Sequence, residues 1–251
     1  QGDPGLTPAD AASTSRNVGS LYVDLSSDLS DRFFGDAALR YEHYSDFGDA
    51  VAGKLSGLFK LTPTFALRGA ISNSFRAPSL SQISYKATAT NFTSGGQLGS
   101  VLTLPVSDPI ARALGAQDLE AEKSLNYSLG FTFAPVNDFS LAVDLFQIKV
   151  KDRITISEQL SGIDLTNFLQ TQFGLTNVDG VNFFTNAVDT LTKGVDVIAN
   201  YRHELGAGAL KLTAAYTYAR TTGDGVKATP AELQALKLND VLFGVEERNT
   251  L

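Results

Sequence analysis

The ten residues 124–133 read SLNYSLGFTF, in which polar or small side chains alternate strictly with apolar ones. Successive side chains of a β-strand point to opposite faces. The apolar face of this stretch carries Leu125, Tyr127, Leu129, Phe131 and Phe133. Ser, Asn, Thr and Gly130 occupy the other face. The pattern predicts a strand with one apolar and one polar face, about as long as the 9–11 residues that a tilted membrane-spanning strand needs.

The same period of two recurs along most of the chain. It predicts about nine long strands, at residues 17–30, 34–45, 50–61, 64–75, 119–134, 138–154, 186–205, 209–221 and 240–250. One of them, 138–154, is irregular, because its apolar residues change parity between Leu145 and Phe146. Either a β-bulge or a strand end that has left the bilayer explains this change, and the sequence leaves both open.

The connections between these strands fall into two sorted classes. Short, turn-like ones (30–33, 61–64, 135–138 and 205–208) alternate with the others (46–49, 76–118, 155–185 and 222–239). In an up-and-down meander, alternate connections lie at the same end, so one end carries tight turns and the other the long loops. Outer-membrane barrels have this arrangement, with short periplasmic turns and longer extracellular loops. The predicted wall thus has a short-turn end and a long-loop end.

Aromatic residues and helix signals fit this polarity. One group of aromatics lies near the short-turn end: Phe33, Phe59, Phe65, Phe133, Phe139 and Tyr201. A second lies near the long-loop end: Tyr41, Tyr44, Phe75, Tyr216 and Tyr218. Such belts are typical of the two bilayer interfaces. Within the long loops, residues 108–115 and 164–173 carry capping signals and predict short helices.

Composition excludes several classes of protein. The chain has 251 residues, of which 43% are hydrophobic and 19% charged, so disorder is not expected. No apolar stretch approaches the roughly 20 residues of a membrane-spanning helix. A net charge of -7 argues against nucleic acid as a partner, and the absence of cysteine rules out disulfides and thiolate metal sites.

Four further stretches carry a family resemblance. They begin at Ala38 (ALRYE, then YSDFG from Tyr44), Leu67 (LRGAIS, then SFRAPSL from Ser74), Leu119 (LEAEKS) and Asn186 (NAVD, then TKGVD from Thr192). In this order the chain resembles the β-barrel domain of TonB-dependent outer-membrane receptors, over about residues 17–250. The resemblance implies a plugged barrel of about 22 strands in the bacterial outer membrane. It also implies uptake of a scarce nutrient such as a ferric siderophore, driven through the TonB protein.

The chain departs from that family pattern in its extent. It has no methionine and starts at Gln1, without a signal segment. We expect an internal fragment in which 1–16 is the end of an extracellular loop or a fragment edge. Residues 17–251 are then a partial outer-membrane β-barrel domain. The plug domain and the TonB-contacting segment are expected to be absent from this chain.

Candidate functional residues follow from the faces and the loops. Charged residues on the polar face are candidates for a lumen lining that contacts the plug: Arg40, Glu42, Lys54, Arg68, Arg76, Asp144, Asp196 and Arg202. A solvated face without a specific partner is the alternative. We favour the lumen, because an Arg or Lys in contact with lipid costs about 2–4 kcal/mol at mid-bilayer. Tyr85 and Phe92, in the longest loop, are candidates for ligand contact.

No catalytic chemistry is indicated by the sequence. His43 and His203 lie far apart in the sequence and are interpreted as rim residues, and no nucleophile elbow or phosphate-binding loop occurs. We therefore expect no enzyme activity, no catalytic or metal-ligating residue and no cofactor. The expected partners are outer-membrane lipid, the TonB protein and a small ligand. An ungated, porin-like or small structural outer-membrane barrel is the alternative function.

Overall fold

A computed structural model describes residues 11–92, 98–206 and 208–236 of the chain. These residues contain the strands β1 (Val18–Ser30), β2 (Phe33–Tyr44), β3 (Gly48–Thr62), β4 (Phe65–Arg76), β5 (Ala87–Phe92), β6 (Leu98–Leu104), β7 (Glu122–Val136), β8 (Phe139–Ile156), β9 (Leu160–Ser161), β10 (Val178–Leu205) and β11 (Gly208–Val226). They also contain the helices α1 (Leu80–Ser84), α2 (Pro109–Ala113), α3 (Ile163–Phe173) and α4 (Ala231–Ala235). None of the helices in these ranges has the length and apolarity to span a membrane.

Eight long strands form one antiparallel wall, which is an open, partial barrel. Their order is β1-β2-β3-β4-β7-β8-β10-β11, so each strand pairs with its neighbour in the meander. This confirms the predicted fold class. The expected ninth strand, 240–250, lies outside the described residues. The main difference within the wall is β10, which starts at Val178 rather than at residue 186.

The structure has short turns at one end of the wall and long loops at the other, as the sequence predicted. Two-residue turns join β1 to β2, β3 to β4, and β7 to β8, and Gly206, with a φ of +59°, lies in the tight turn after β10. At the opposite end the connections from β4 to β7 and from β8 to β10 are long and contain their own helices and strands. Two of these helices, α2 and α3, lie where the sequence predicted them.

The two faces of the wall differ as the alternation predicted. Strand register places apolar residues directly opposite one another, as with Leu129, Leu145 and Val195 on three successive strands. The Leu129 and Leu145 side chains are exposed, at 62% and 57%. The apolar rows are therefore exposed on one face of the wall instead of packing into a closed interior. One assignment changes: Tyr44 donates its hydroxyl to Glu42, a polar-face residue, and so is not an apolar-face belt residue.

The irregular strand β8 contains no bulge at the predicted point. Its register with β7 and β10 is continuous from Leu141 to Val150, so the change at Leu145 and Phe146 is one of residue type only. Phe146 lies on the polar face, where its ring covers Gly194 of β10. The backbone irregularity comes higher, at Asp152, whose φ is +55° and which faces register shifts in β10.

The long loops build the buried core of the described chain. Strand β6 pairs in parallel with the upper part of β10, and β5 and β9 extend this small sheet. Helices α2, α3 and α4 pack around it. The core is formed by Leu104, Val106, Ala111, Leu114, Ala116, Leu119, Ile154, Leu160, Leu165, Leu169, Val178, Val181, Phe183, Ala187, Val188 and Leu233. We call this unit (α1–α4, β5, β6, β9 and residues 178–184 of β10) the loop cap.

Candidate functional site

Charged side chains on the polar face of the wall pair mainly with one another. Lys54 lies 3.0 Å from Asp36, and Arg202 bonds Glu204 at 2.8 Å through its Nε. Arg68 binds both carboxylate oxygens of Asp144, and Arg76 binds both of Glu122. Arg40 pairs with Glu42, and Asp196 accepts a bond of 2.7 Å from Thr217. The eight charged residues predicted for this face therefore each have a partner within the wall.

Most of these pairs are asymmetric in exposure. The Glu42 and Glu122 side chains are only 7% and 9% exposed, whereas their partners Arg40 and Arg76 are 56% and 54% exposed. Asp36 is likewise more covered than Lys54. In these three pairs the acidic group lies against the sheet and the basic group projects from it, whereas in the Arg202–Glu204 pair both side chains are exposed. On the polar face, most of the exposed basic side chains are therefore paired with carboxylates that lie closer to the sheet.

A glycine makes the Arg68–Asp144 pair possible. Gly130 of β7 lies directly between them, opposite Arg68 on β4 and Asp144 on β8. A Cβ at this position would lie 2.2 Å from Asp144 Oδ1 and 2.4 Å from the Val143 carbonyl oxygen. The two side chains thus meet across β7 in the space that a larger residue would fill.

The Arg76–Glu122 pair lies at the long-loop end, where the chain leaves β4 and returns to β7. Glu122 also accepts a bond of 2.8 Å from the backbone N–H of Ile154 on β8. The pair therefore connects three strands at the rim. It also brings together two of the stretches that carry the family resemblance, SFRAPSL and LEAEKS.

Asn186 links a third of these stretches to the same rim. Its amide accepts from the Glu120 N–H at 2.9 Å and donates to the Glu120 carbonyl oxygen at 2.9 Å. It donates again to the carbonyl oxygen of Asp152, at 2.6 Å. Asp152 N–H in turn donates to Asp189 at 2.9 Å. Through these hydrogen bonds the buried Asn186 side chain connects the irregular part of β8 to the segment before β7. This connection lies where the wall meets the loop cap.

A cleft of about 580 Å³ opens beside this rim, between the β2–β3 hairpin, the end of β4 and the segment before β7. Three of its carboxylates already have partners: Asp46 binds Arg16, Asp49 binds His43 and Tyr41, and Asp118 binds Arg112. Among the described residues there is no group of three acidic or histidine side chains suited to a metal ion. His43 lies at this end of the wall and His203 at the other.

The ligand-contact candidates lie in the loop cap. Tyr85 caps the C-terminus of α1 through its backbone, and its residue exposure is 40%. The backbone of Phe92 ends β5, but its side chain lies outside what the structure describes. The sequence did not predict the shared core of the loops or the hydrogen bonds of Asn186 to Glu120 and Asp152. It also did not predict that Gly130 leaves space for the Arg68–Asp144 pair. The order of the four stretches along the chain was the available signal, but their mutual contacts join residues 46 and 66 positions apart.

This geometry defines a class of protein: an up-and-down, partial β-barrel wall with one apolar face, one charged face and folded loops at one end. The sequence matches, over residues 1–241, the family described as TonB dependent receptor-like, beta-barrel. The chain belongs to this family. No curated protein matches the sequence significantly.

Solved structures agree on the fold. The siderophore receptor PirA from Pseudomonas aeruginosa superposes with a TM-score of 0.61 at 22% identity, over 84% of this chain and 35% of that one. The ferric enterobactin receptor PfeA from the same species, a Q482A mutant in complex with enterobactin, gives 0.59 at 19% identity, over 81% and 27%. The FrpB iron transporter from Neisseria meningitidis gives 0.52 at 14%, over 83% and 26%. The chain thus spans about a third of these receptors or less.

Proposed function

We propose that this chain is part of the barrel and outer loops of a TonB-dependent receptor in the outer membrane of a Gram-negative bacterium. The receptor takes up a scarce nutrient, such as a ferric siderophore, in a process energised through TonB. One observation carries the proposal: an antiparallel wall with exposed apolar rows has its compact core in the loops at one end. A water-soluble sheet of this size would bury its apolar face.

The membrane orientation follows from this wall. Its apolar face contacts the lipid hydrocarbon, its short turns lie in the periplasm and its loop cap lies outside the cell. The strands have 12 or more residues each, enough to cross the bilayer at a tilt. The backbone ladders run without a register shift through the middle of the inner strands, for example from Leu141 to Val150 of β8, as a hydrocarbon surrounding requires.

The polar face is then the lumen lining, opposite the plug domain. Arg40, Lys54, Arg68, Arg76 and Arg202 project cationic heads toward it. Because their charges are compensated within the wall, they can exchange plug or ligand partners without leaving an isolated buried charge. This suits a lumen through which an anionic solute passes once the plug moves.

The loop cap is the proposed site of first ligand contact. Its core holds α1 and β5 on a packed support, so an aromatic such as Tyr85 is presented by a preformed surface. Tyr85 and Phe92 are the contact residues that we propose. Ferric siderophores are the proposed ligand class because PirA and PfeA, which share this fold, are siderophore receptors by name.

The test is uptake of ⁵⁵Fe-labelled catecholate and hydroxamate siderophores by cells that carry the full-length gene, its deletion, or the full-length gene without TonB. We expect at least one siderophore to enter only with both the gene and TonB. Uptake that persists without TonB, together with passive entry of sugar-sized solutes, would establish the ungated pore instead.

Substitutions of Tyr85 test whether this residue contacts the ligand. Tyr85→Ala should weaken binding of the transported siderophore to cells about 5- to 20-fold, since loss of one aromatic contact costs about 1–2 kcal/mol. Tyr85→Phe, which keeps the ring, is the matched control and should bind within about twofold of wild type. Equal affinity of all three proteins would remove Tyr85 from the ligand site.

A further inference from the structure

The apolar face of the wall becomes basic near the long-loop end of β7, β8, β10 and β11. The row of Leu129, Leu145, Val195 and Tyr218 is uncharged. The next row up, two residues along each strand, holds Tyr127, Gln147, Lys193 and Arg220. Lys149 and then Lys123 and Lys151 follow above it. We call Lys123, Lys149, Lys151, Lys193 and Arg220 the basic patch.

Two pairs of like charges face each other within the basic patch. Lys123 lies directly opposite Lys151, and Lys193 directly opposite Arg220. Side chains at such positions have Cβ atoms about 4.5–5.5 Å apart, and like charges there destabilise a sheet. A chain with a net charge of -7 has ample acidic residues with which to avoid this arrangement.

Within the described residues, these four cations have no ion-pair or hydrogen-bond partner. Only Lys149 has one, since its ammonium lies 2.5 Å from Asp224. The other nearby carboxylates are engaged: Asp189 accepts from the Asp152 N–H, and Asp152 pairs with Lys227. The basic residues of the polar face that were named above all have acidic partners in the wall. Among the residues that the structure describes, the basic patch therefore lacks the acidic partners that Arg40, Lys54, Arg68, Arg76 and Arg202 have on the polar face.

We propose that the basic patch binds the phosphate-bearing headgroups of lipid in the outer leaflet, an inference that rests on the membrane orientation given above. The patch begins one row above Tyr218, in a belt where aromatic side chains mark the bilayer interface. Lysine and arginine at that level meet headgroups, and phosphate oxygens accept their hydrogen bonds. Two facing cation pairs provide donors for phosphates bound between neighbouring strands.

The experiment compares lipid binding by full-length protein purified in detergent, measured by native mass spectrometry. The probes are a bis-phosphorylated glucosamine-disaccharide lipid, its dephosphorylated counterpart and inorganic phosphate. The variants are K123Q/K151Q, K193Q/R220Q and the quadruple combination. Each cation near an anionic lipid surface contributes about a fivefold change in affinity. We therefore expect each double variant to bind the phosphorylated lipid at least tenfold more weakly than wild type.

The matched control is K60Q/K211Q, which removes two exposed lysines from the polar face. It should bind phosphorylated lipid like wild type. Folding is checked by heat-modifiable electrophoretic mobility, and the double variants should fold because each relieves a like-charge contact. Unchanged affinity in the folded double variants would overturn the proposal, as would equal binding of the dephosphorylated lipid or competition by inorganic phosphate.

The lipid result is separable from siderophore uptake. Lys193 and Arg220 lie on the apolar side of β10 and β11 and do not line the cleft beside the rim, so K193Q/R220Q should lose lipid binding and retain TonB-dependent uptake in cells. If lipid binding depends on the patch while no siderophore enters, the transport proposal fails alone. If uptake is TonB-dependent and the patch variants bind lipid normally, the lipid proposal fails alone.

Discussion

At the scale of single residues, glycine decides where charged side chains can meet across the wall. Arg68 and Asp144 belong to strands that are separated by β7, and they are joined only because Gly130 leaves the space between them open. Gly194 plays the same part for Phe146, whose ring atoms come within 2.3 Å of a Cβ built at that position. The alternation of the sequence identifies both glycines as polar-face residues but not what lies over them.

We predict that Gly130→Ala destabilises the barrel by about 1–3 kcal/mol, because its Cβ overlaps a carboxylate and a backbone oxygen. Urea titration of the folded protein, read by electrophoretic mobility without heating, measures the change. Gly19→Ala is the matched control, since a Cβ there meets no atom within 4 Å. Similar stability losses in the two variants would mean that the space at Gly130 is not required.

At the scale of the strand, the deciding property is which row faces lipid. Leu129 and Ser128 are neighbours in β7 but lie in rows that face opposite ways, Leu129 beside Leu145 and Ser128 beside Phe146. The row of Leu129 is apolar across four strands, whereas Ser128 belongs to the charged face. The two positions therefore differ in environment although one peptide bond separates them.

Leu129→Arg should block assembly into lipid vesicles, because an arginine in contact with mid-bilayer hydrocarbon costs about 2–4 kcal/mol. Ser128→Arg adds the same side chain to the polar face and should assemble nearly as well as wild type. The folded fraction in vesicles, measured by protease protection, gives the comparison. Equal losses from both substitutions would contradict the assignment of the faces.

At the scale of the whole molecule, three long loops behave as one packed unit. Leu104 and Leu114 come from the connection between β4 and β7, Leu165 from that between β8 and β10, and Leu233 from the segment after β11. Deletion of 76–118, an obvious way to test ligand binding from the sequence alone, would also remove part of this shared core. Point variants in the loop cap are therefore the sharper probes.

Leu165→Ala should loosen the whole loop cap, since removal of a fully buried leucine side chain costs about 2–5 kcal/mol. Hydrogen exchange should rise in β6 and α4 as well as in α3, while β7 within the wall stays protected. Ile163→Ala on the same helix is the control, because Ile163 is 72% exposed. An increase confined to α3 would show that the loops are independent.

The sequence by itself determined the class of fold, the eight described wall strands, the sorting of loops, the alternation of an apolar and a polar face and the sites of α2 and α3. These features are local, because a period of two and a capping residue express themselves within one strand or turn. Only the tertiary structure decided the partners of Arg68, Arg76 and Asn186, the extension of β10 into the loops and the shared core of the loop cap. Such contacts join residues tens of positions apart, and their geometry depends on strand register, which no single segment encodes.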